Sequence, residues 1–84
     1  MGDHDLVEII EGALLAAGEP LSKKQLAQLF DELDRPSTSD ITAALAEVAE
    51  RCDGRGFELA EVASGFRFQV RQNLSPWVSK LWVE

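Results

Sequence analysis

The hydrophobic pattern of this chain changes period once, and that change limits the possible folds more than any other feature of the sequence. Before residues 53–56, apolar residues recur every three or four positions, as they do on the buried face of a helix. After these residues, apolar and polar positions alternate, which is typical of a half-buried strand. Three helices followed by a β-hairpin predict an α+β fold of the winged-helix type.

The first helix is predicted to span Leu6 to Ala17. Asp5 is its expected N-cap, because a short acidic side chain can accept a hydrogen bond from a free backbone amide there. Gly18 is the expected left-handed terminator, and Pro20 prevents the helix from resuming. The expected buried face consists of Leu6, Ile9, Ile10, Ala13, Leu14 and Ala17.

The second helix carries the clearest start signal in the chain. Ser22 and Gln25 match a capping box, and Leu21 and Leu26 are placed to form a hydrophobic staple around it. Pro20 favours an extended backbone before the helix, so the segment at Leu21 is a candidate third strand beside the hairpin. The buried face is expected to consist of Leu26, Leu29, Phe30 and Leu33.

A third helix is predicted after a break at residues 34–36. Its N-cap is either Ser37, with Asp40 three residues later as in a capping box, or Ser39. The second and third helices would then form a helix-turn-helix, with the third in the position of a recognition helix. The expected buried face of the third helix consists of Ile41, Ala44, Leu45, Val48 and Cys52.

The hairpin, or wing, follows from the alternating pattern. Residues 63–65 predict a three-residue loop, in which Gly65 takes the left-handed conformation. Val62 falls out of phase with Leu59, which predicts a bulge or a local twist. In the second strand, polar residues alternate with the apolar residues Phe66, Phe68 and Val70.

A short fourth helix is predicted near the C-terminus. Ser75 is its expected N-cap, and Pro76 suits the first helical position, where no amide hydrogen is needed. The apolar residues of this helix are Trp77, Val78, Leu81, Trp82 and Val83.

Charge and composition argue against several classes of function. The chain of 84 residues has a formal net charge of −7, and residues 1–50 hold eleven acidic and three basic residues. A single cysteine, Cys52, and a single histidine, His4, cannot supply a four-ligand zinc site. The sequence shows no nucleophile–base pair, phosphate-binding loop or apolar run long enough for a membrane. It therefore predicts a protein without catalysis, cofactor or membrane span.

The helix-turn-helix raises DNA binding as an alternative, and the charges oppose it. Base readout needs Arg, Lys, Asn or Gln on the outward face of the recognition helix, and the third helix offers only Arg51, at its far end. Arg55, Arg67 and Arg71 near the wing are expected to form an ordinary solvated strand face. Strong direct DNA binding is therefore not expected.

Two stretches resemble the N-terminal domain of the segregation and condensation protein B family. Residues 9–22 (IIEGALLAAGEPLS) are similar to the opening helix and turn of that family, and residues 54–70 (GRGFELAEVASGFRFQV) are similar to its hairpin. The family is the winged-helix accessory subunit of the bacterial condensin complex and has two winged-helix domains in tandem. The resemblance implies that residues 1–73 are the first of these domains and that residues 74–84 are a helix leading toward a second domain absent from the chain.

The function follows from the resemblance as an expectation. It implies a non-catalytic homodimer that binds the kleisin subunit and, through it, the condensin ATPase, and that supports chromosome condensation and segregation. Such a protein would be cytoplasmic and associated with the nucleoid through the complex. A winged-helix DNA-binding transcription regulator is the alternative function.

Five residues are candidate contacts for a partner or a second copy. Ala43 and Ala46 lie beside the apolar face of the third helix, where small side chains permit close approach or simply favour helix. Trp77, Leu81 and Trp82 are candidates because tryptophan is enriched at interface hot spots. The alternative is that the fourth helix completes the core. Its two tryptophans lie about 140° apart around a helix, so one face cannot bury both.

Overall fold

The computed structural model describes the backbone of residues 3–82 and the side chains of residues 6–82. Three helices lead into an antiparallel β-hairpin, and a C-terminal helical segment follows. This order confirms the predicted winged helix, with the hairpin as its wing. The elements of the domain are α1 (Asp3–Ala17), α2 (Lys23–Ala27), α3 (Thr38–Arg51), β1 (Phe57–Val62) and β2 (Gly65–Val70).

The hydrophobic core lies between the three helices, and the inner face of the hairpin covers one side of it. Leu59, Phe66 and Phe68 are partly buried and pack against the helical residues. The predicted apolar faces of α1 and α3 are confirmed in outline, although Ala17 is exposed and Val7 is buried in its place. The buried cluster consists of Val7, Ile10, Leu14, Leu26, Ile41, Ala44, Leu45 and Val48.

Two helices begin at capping boxes, as predicted. At α2, the Gln25 amide donates to Ser22 Oγ at 3.1 Å, and the Ser22 amide donates back to Gln25 Oε1 at 2.9 Å. At α3, the same exchange joins Ser37 and Asp40, at 3.0 and 3.3 Å, and this decides between Ser37 and Ser39. Each box pairs one amide of the first helical turn and one amide of the capping residue, which would otherwise depend on water.

The predicted start of α1 is wrong, because the helix already includes Asp3 and therefore runs through Asp5. Acidic residues are favourable throughout the first turn of a helix, where the backbone dipole is positive. Two aspartates in that turn consequently do not identify a single first residue. The C-terminal end is as predicted, with Gly18 at a φ of +72°.

α2 is much shorter than predicted. After Ala27 the backbone tightens, and the amides of Leu29 and Phe30 bond to carbonyls three residues back, each at 3.2 Å. Phe30 still reaches the core, but Leu29 is 52% exposed and Leu33 is 99% exposed, so their predicted burial is wrong. Acidic residues at the C-terminal end of a helix oppose its dipole. The three acidic residues that follow Phe30, which would lie in the last turn of a longer helix, are Asp31, Glu32 and Asp34.

The two strands pair in an unbroken register from Phe57↔Val70 to Val62↔Gly65. The loop therefore has two residues, 63 and 64, so the predicted three-residue loop is wrong. The predicted bulge is also absent from this register. Gly65 has a φ of +143°, a conformation that side chains disfavour, so the need for glycine at this position is confirmed. Val70, at the open end of the hairpin, is 50% exposed, contrary to its predicted burial.

The segment before α2 pairs with the hairpin at a single residue, in the position of the predicted third strand, but the sheet itself has only two strands among the described residues. Leu21 and Phe66 form an isolated antiparallel bridge, in which the Leu21 amide donates to the Phe66 carbonyl at 2.9 Å and the Phe66 amide donates to the Leu21 carbonyl at 2.7 Å. The approach is so close that a Cβ atom on Gly65 would overlap the Leu21 carbonyl group and lie 2.6 Å from the Ser22 nitrogen. Glycine is therefore required here for space as well as for its φ.

The C-terminal helical segment covers residues 72–82, and we call it the arm. It consists of a 3₁₀ turn (Gln72–Leu74), a short helix α4 (Ser75–Val78) and a second 3₁₀ turn (Ser79–Trp82). Ser75 lies inside the helical segment, so its predicted role as N-cap is wrong. The main contacts of α4 are with the flanking turns. The molecule measures 51 × 22 × 19 Å, and its radius of gyration is 14.4 Å, against about 12 Å for a compact chain of this length.

Candidate protein-interaction surfaces

The arm exposes three large apolar side chains. Trp77 is 67% exposed, Leu81 77% and Trp82 74%. Trp77 lies in α4, whereas Leu81 and Trp82 lie in the 3₁₀ turn that follows it. Trp82 follows Leu81 by about a third of a turn, so these two side chains leave the arm in different directions. The arm thus presents three exposed apolar side chains.

Neither tryptophan packs on the core of the chain. The alternative that this helix completes the core with one of its two tryptophans is wrong, because both rings are largely exposed. The rings are exposed because α4 has its main contacts with the two 3₁₀ turns that flank it. Leu74, at the base of the arm, is half-buried, and its side chain lies beside Gly56.

Ala43 and Ala46 are both exposed on α3, but they face different grooves. Ala43 lines a cleft of about 130 Å³ between α1 and α3, with Leu6 and the carboxylates of Asp40 and Glu47. Ala46 lines a separate groove on the hairpin side of α3. The structure therefore divides these two candidates between two surfaces.

The groove beside Ala46 lies between α3 and the wing, and we call it the hairpin groove. It has a volume of about 280 Å³. Its α3 wall consists of Thr42, Leu45, Ala46 and Ala49, and the apolar residues of its hairpin wall are Leu59 and Phe66. Lys23 and Glu61 lie at its rim, and the Lys23 ammonium is 6.0 Å from the centre of the Phe66 ring. The residues that carry its shape are Ala46, Ala49, Leu59, Phe66, Lys23 and Glu61.

The outward face of α3 is acidic or neutral. Arg51 is its one basic residue, and its guanidinium forms a salt bridge with Glu47 at 3.1 Å. The charge of Arg51 is thus compensated within the helix. The groups that read base edges are missing from this face, and its remaining charges, including Glu50, would repel phosphates.

Arg71 does not form part of a solvated strand face as expected. Its guanidinium donates to the carbonyls of Cys52 and Arg55, both at 2.8 Å, and forms a salt bridge with Glu58 at 3.3 Å. Its amide also bonds to the Gly56 carbonyl at 3.0 Å. Arg71 therefore fixes the open end of the hairpin to the C-terminal end of α3. The sequence shows only an arginine at the end of an alternating strand, so this role could not be predicted.

Other chemistry has little support in the described residues. The Cys52 thiol is buried, and burial raises its pKa, so the reactive thiolate is disfavoured. Across side chains 6–82, the His, Cys, Asp and Glu residues form no cluster of three suited to a metal ion. The side chain of His4 lies outside that range. None of the described helices is both long and apolar enough to cross a bilayer.

Comparison with known proteins now identifies the family. The model of the "Segregation and condensation complex subunit ScpB" family matches residues 8–84. The chain belongs to the ScpB family. It is 50% identical over 74 residues to the segregation and condensation protein B homolog of Coxiella burnetii, and 38% identical over 74 residues to segregation and condensation protein B of Bacillus subtilis. These matches cover 88% and 87% of the chain but only 35% and 36% of the relatives.

Solved ScpB structures have the same fold. A crystal structure of ScpB from Mycobacterium tuberculosis aligns with a TM-score of 0.81 at 25% identity, covering 96% of this chain and 49% of that one. A dimer of the ScpB N-terminal domain complexed with ScpA peptide aligns with a TM-score of 0.79 at 28% identity, covering 93% of this chain and 95% of that one. The predicted resemblance is confirmed.

Proposed function

We propose that this ScpB-family chain is a dimerising subunit of the bacterial condensin complex that binds the kleisin subunit and, through it, the condensin ATPase. In this role it supports chromosome condensation and segregation without catalysing a reaction. It acts in the cytoplasm and is associated with the nucleoid through the complex. Residues 1–73 form the winged-helix domain, and residues 74–84 lead toward the second domain of the longer relatives.

One observation carries the proposal. A solved relative that is almost the same length as this chain is a dimer of the ScpB N-terminal domain complexed with ScpA peptide. The candidate contacts Trp77, Leu81 and Trp82 are consistent with such a module, because exposed apolar patches on small soluble proteins generally mark interaction surfaces. Ala43 and Ala46, on two different grooves, remain candidates for two different contacts.

The proposal is tested by the mass of the chain in solution and by its kleisin affinity. Sedimentation equilibrium at tens of micromolar protein should show a dimer. Fluorescence anisotropy with a labelled ScpA-type peptide should then show saturable binding, and a scrambled peptide of the same composition is the control. A monomer at the highest soluble concentration would refute dimerisation, and equal binding of the two peptides would refute a kleisin site.

The regulator alternative is tested with DNA. Because Arg51 is paired and the chain has a net charge of −7, we expect labelled duplex DNA to bind no better than weakly, even at low salt. Micromolar affinity that falls steeply as salt is raised, or any preference among duplex sequences, would favour the regulator over the condensin subunit.

A further inference from the structure

We propose that the outer edge of β2 binds an extended peptide of another protein as an added antiparallel strand, at Phe68 and Val70. The peptide has an apolar side chain that enters the cavity beside Phe68, and a carboxylate that faces Arg67. This inference goes beyond the proposed function. It rests neither on dimerisation nor on kleisin binding, because a single copy of the chain contains the whole edge.

The outer edge of β2 carries backbone groups without partners. Phe66 turns both its amide and its carbonyl to Leu21, away from β1. Because this direction alternates along a strand, Phe68 and Val70 turn theirs to the same outer side, whereas the residues between them pair with β1. Within the described part of the chain, no other backbone group bonds to Phe68 or Val70 on that side. An edge strand with such free groups is a template for another strand.

The chain itself occupies only the first position of this edge. In the antiparallel register of the Leu21 bridge, Glu19 would lie opposite Phe68. The backbone changes direction at Gly18, however, where the φ of +72° ends α1, and Glu19 forms no backbone bond to β2. The edge is therefore open from Phe68 to the end of β2, over about 7 Å, which is the length of a strand of three residues.

A cavity of about 320 Å³ lies beside the open edge, between β2 and the C-terminal end of α1. Its apolar lining consists of Leu14, Leu15, Pro20 and Phe68, and Leu15 is 67% exposed. Residues that lie directly opposite each other in an antiparallel pair point to the same face of the sheet. The peptide residue opposite Phe68 therefore directs its side chain to the core face, where the cavity lies. The volume suits one large apolar side chain, because it is close to the lower end of the range for ligand-binding cavities.

Charge defines the second feature of the peptide. Arg67 is exposed on the outward face of β2 and also lines the cavity. Arg71 on the same strand is paired with Glu58, whereas Arg67 forms no salt bridge with any side chain of residues 6–82. A carboxylate of the peptide can therefore pair with Arg67. Glu19, the one acidic residue of the cavity lining, lies on the α1 side, so this carboxylate belongs on the outward face of the peptide.

A synthetic peptide with these features tests the proposal. The probe is acetyl-Ser-Thr-Val-Asp-Leu-Gly-Ser-amide, in which leucine is placed opposite Phe68, valine opposite Val70, and aspartate on the outward face. In this register the leucine amide faces β2 and the aspartate amide faces away. N-methylation of the leucine should therefore weaken binding at least about fivefold, because it removes a hydrogen bond and adds a methyl group at the contact. N-methylation of the aspartate is the matched control and should change binding by less than about twofold. Equal or reversed effects of the two methyl groups would overturn the proposal.

Amide hydrogen exchange, measured by NMR, locates the bound peptide. In the free chain, the amides of Phe68 and Val70 should exchange rapidly, whereas the amide of Phe66, which donates to the Leu21 carbonyl, should exchange more slowly. Saturating peptide should slow exchange at Phe68 and Val70 by at least about fivefold. Slow exchange at both amides in the free chain, increasing with protein concentration, would assign the edge to a second copy and overturn the proposal.

Two variants of the chain complete the test. Val70→Pro removes the amide that faces the open edge and should weaken binding about 3–10-fold, while thermal melting shows that the fold is retained. Arg67→Met should weaken binding by up to about fivefold, and it should not affect a probe with serine in place of aspartate. Unchanged affinity in Val70→Pro would overturn the proposal. Failure of the probe to saturate the unmodified chain at about 1 mM would overturn it also.

Discussion

Replacing Gly65 with alanine tests the junction between the wing and the segment that precedes α2. The residue has a φ of +143°, and an added Cβ would overlap the carbonyl group of Leu21. Both hydrogen bonds of the Leu21–Phe66 bridge depend on that close approach. The substitution therefore adds backbone strain and also separates Leu21 from the hairpin.

The magnitude can be worked out from these two effects. An unfavourable φ costs about 1–3 kcal/mol. Loss of two backbone hydrogen bonds costs about 0.5–1.5 kcal/mol each. Their sum is about 2–6 kcal/mol, whereas a domain of this size has a total unfolding free energy of roughly 4–13 kcal/mol. We expect Gly65→Ala to lower the melting temperature by at least about 10 °C.

Thermal and urea unfolding, followed by circular dichroism, measure the effect, and two other glycines provide controls. Gly54 has a φ of +76° in open space, so Gly54→Ala should cost only the strain, about 1 kcal/mol. Gly12 lies within α1, also in open space, and Gly12→Ala should raise stability by about 0.5–1 kcal/mol. If Gly65→Ala unfolds at the same temperature as Gly54→Ala, the close approach to Leu21 has no energetic weight and the reasoning fails.

Three further predictions concern stability and reactivity. In urea titrations, Arg71→Met should lower the unfolding free energy by about 2 kcal/mol, because it removes two hydrogen bonds to backbone carbonyls at the end of α3. The control Arg67→Met, at an exposed strand position, should change it by less than about 0.5 kcal/mol. Leu33→Gln should be nearly neutral in thermal melting, whereas Leu26→Ala should cost about 2–5 kcal/mol; comparable losses would show that Leu33 is buried after all. Burial raises the pKa of Cys52, so folding disfavours its thiolate. Iodoacetamide should therefore modify Cys52 slowly in the native protein and quickly in urea, and the free energy of unfolding should fall as pH rises above about 8.5. Rapid modification of the native protein would contradict this expectation.

The parts of the fold that could be predicted are those that depend on residues close in sequence. Capping boxes at Ser22 and Ser37 join groups three residues apart, so the sequence contains both partners. The C-terminal end of α2 depends on a balance between continued helix and a tightened turn. Burial of Phe30 contributes to that balance, and the spacing of apolar residues, which predicted helix as far as Leu33, does not measure this contribution.

The candidate site was predictable in composition but not in arrangement. Its exposed tryptophans were identified as interface candidates, but their shared exposure depends on the direction in which the arm leaves β2, which no local pattern specifies. Likewise, Ala43 and Ala46 are three positions apart on α3, and the sequence suggested one surface. Packing of α1 on one side of α3 and of the hairpin on the other assigns them to two.

The charge of the chain limits how it can associate. Two copies, each with a net charge of −7, repel one another at long range. Dimerisation must therefore depend on the burial of apolar surface where the copies touch. The exposed side chains of the arm are the proposed source of this contact, since Lys80 is its one charged residue. Added salt screens the repulsion between copies and also screens any attraction to phosphates. Association through the arm should therefore strengthen with salt, in the direction opposite to that of a DNA-binding domain.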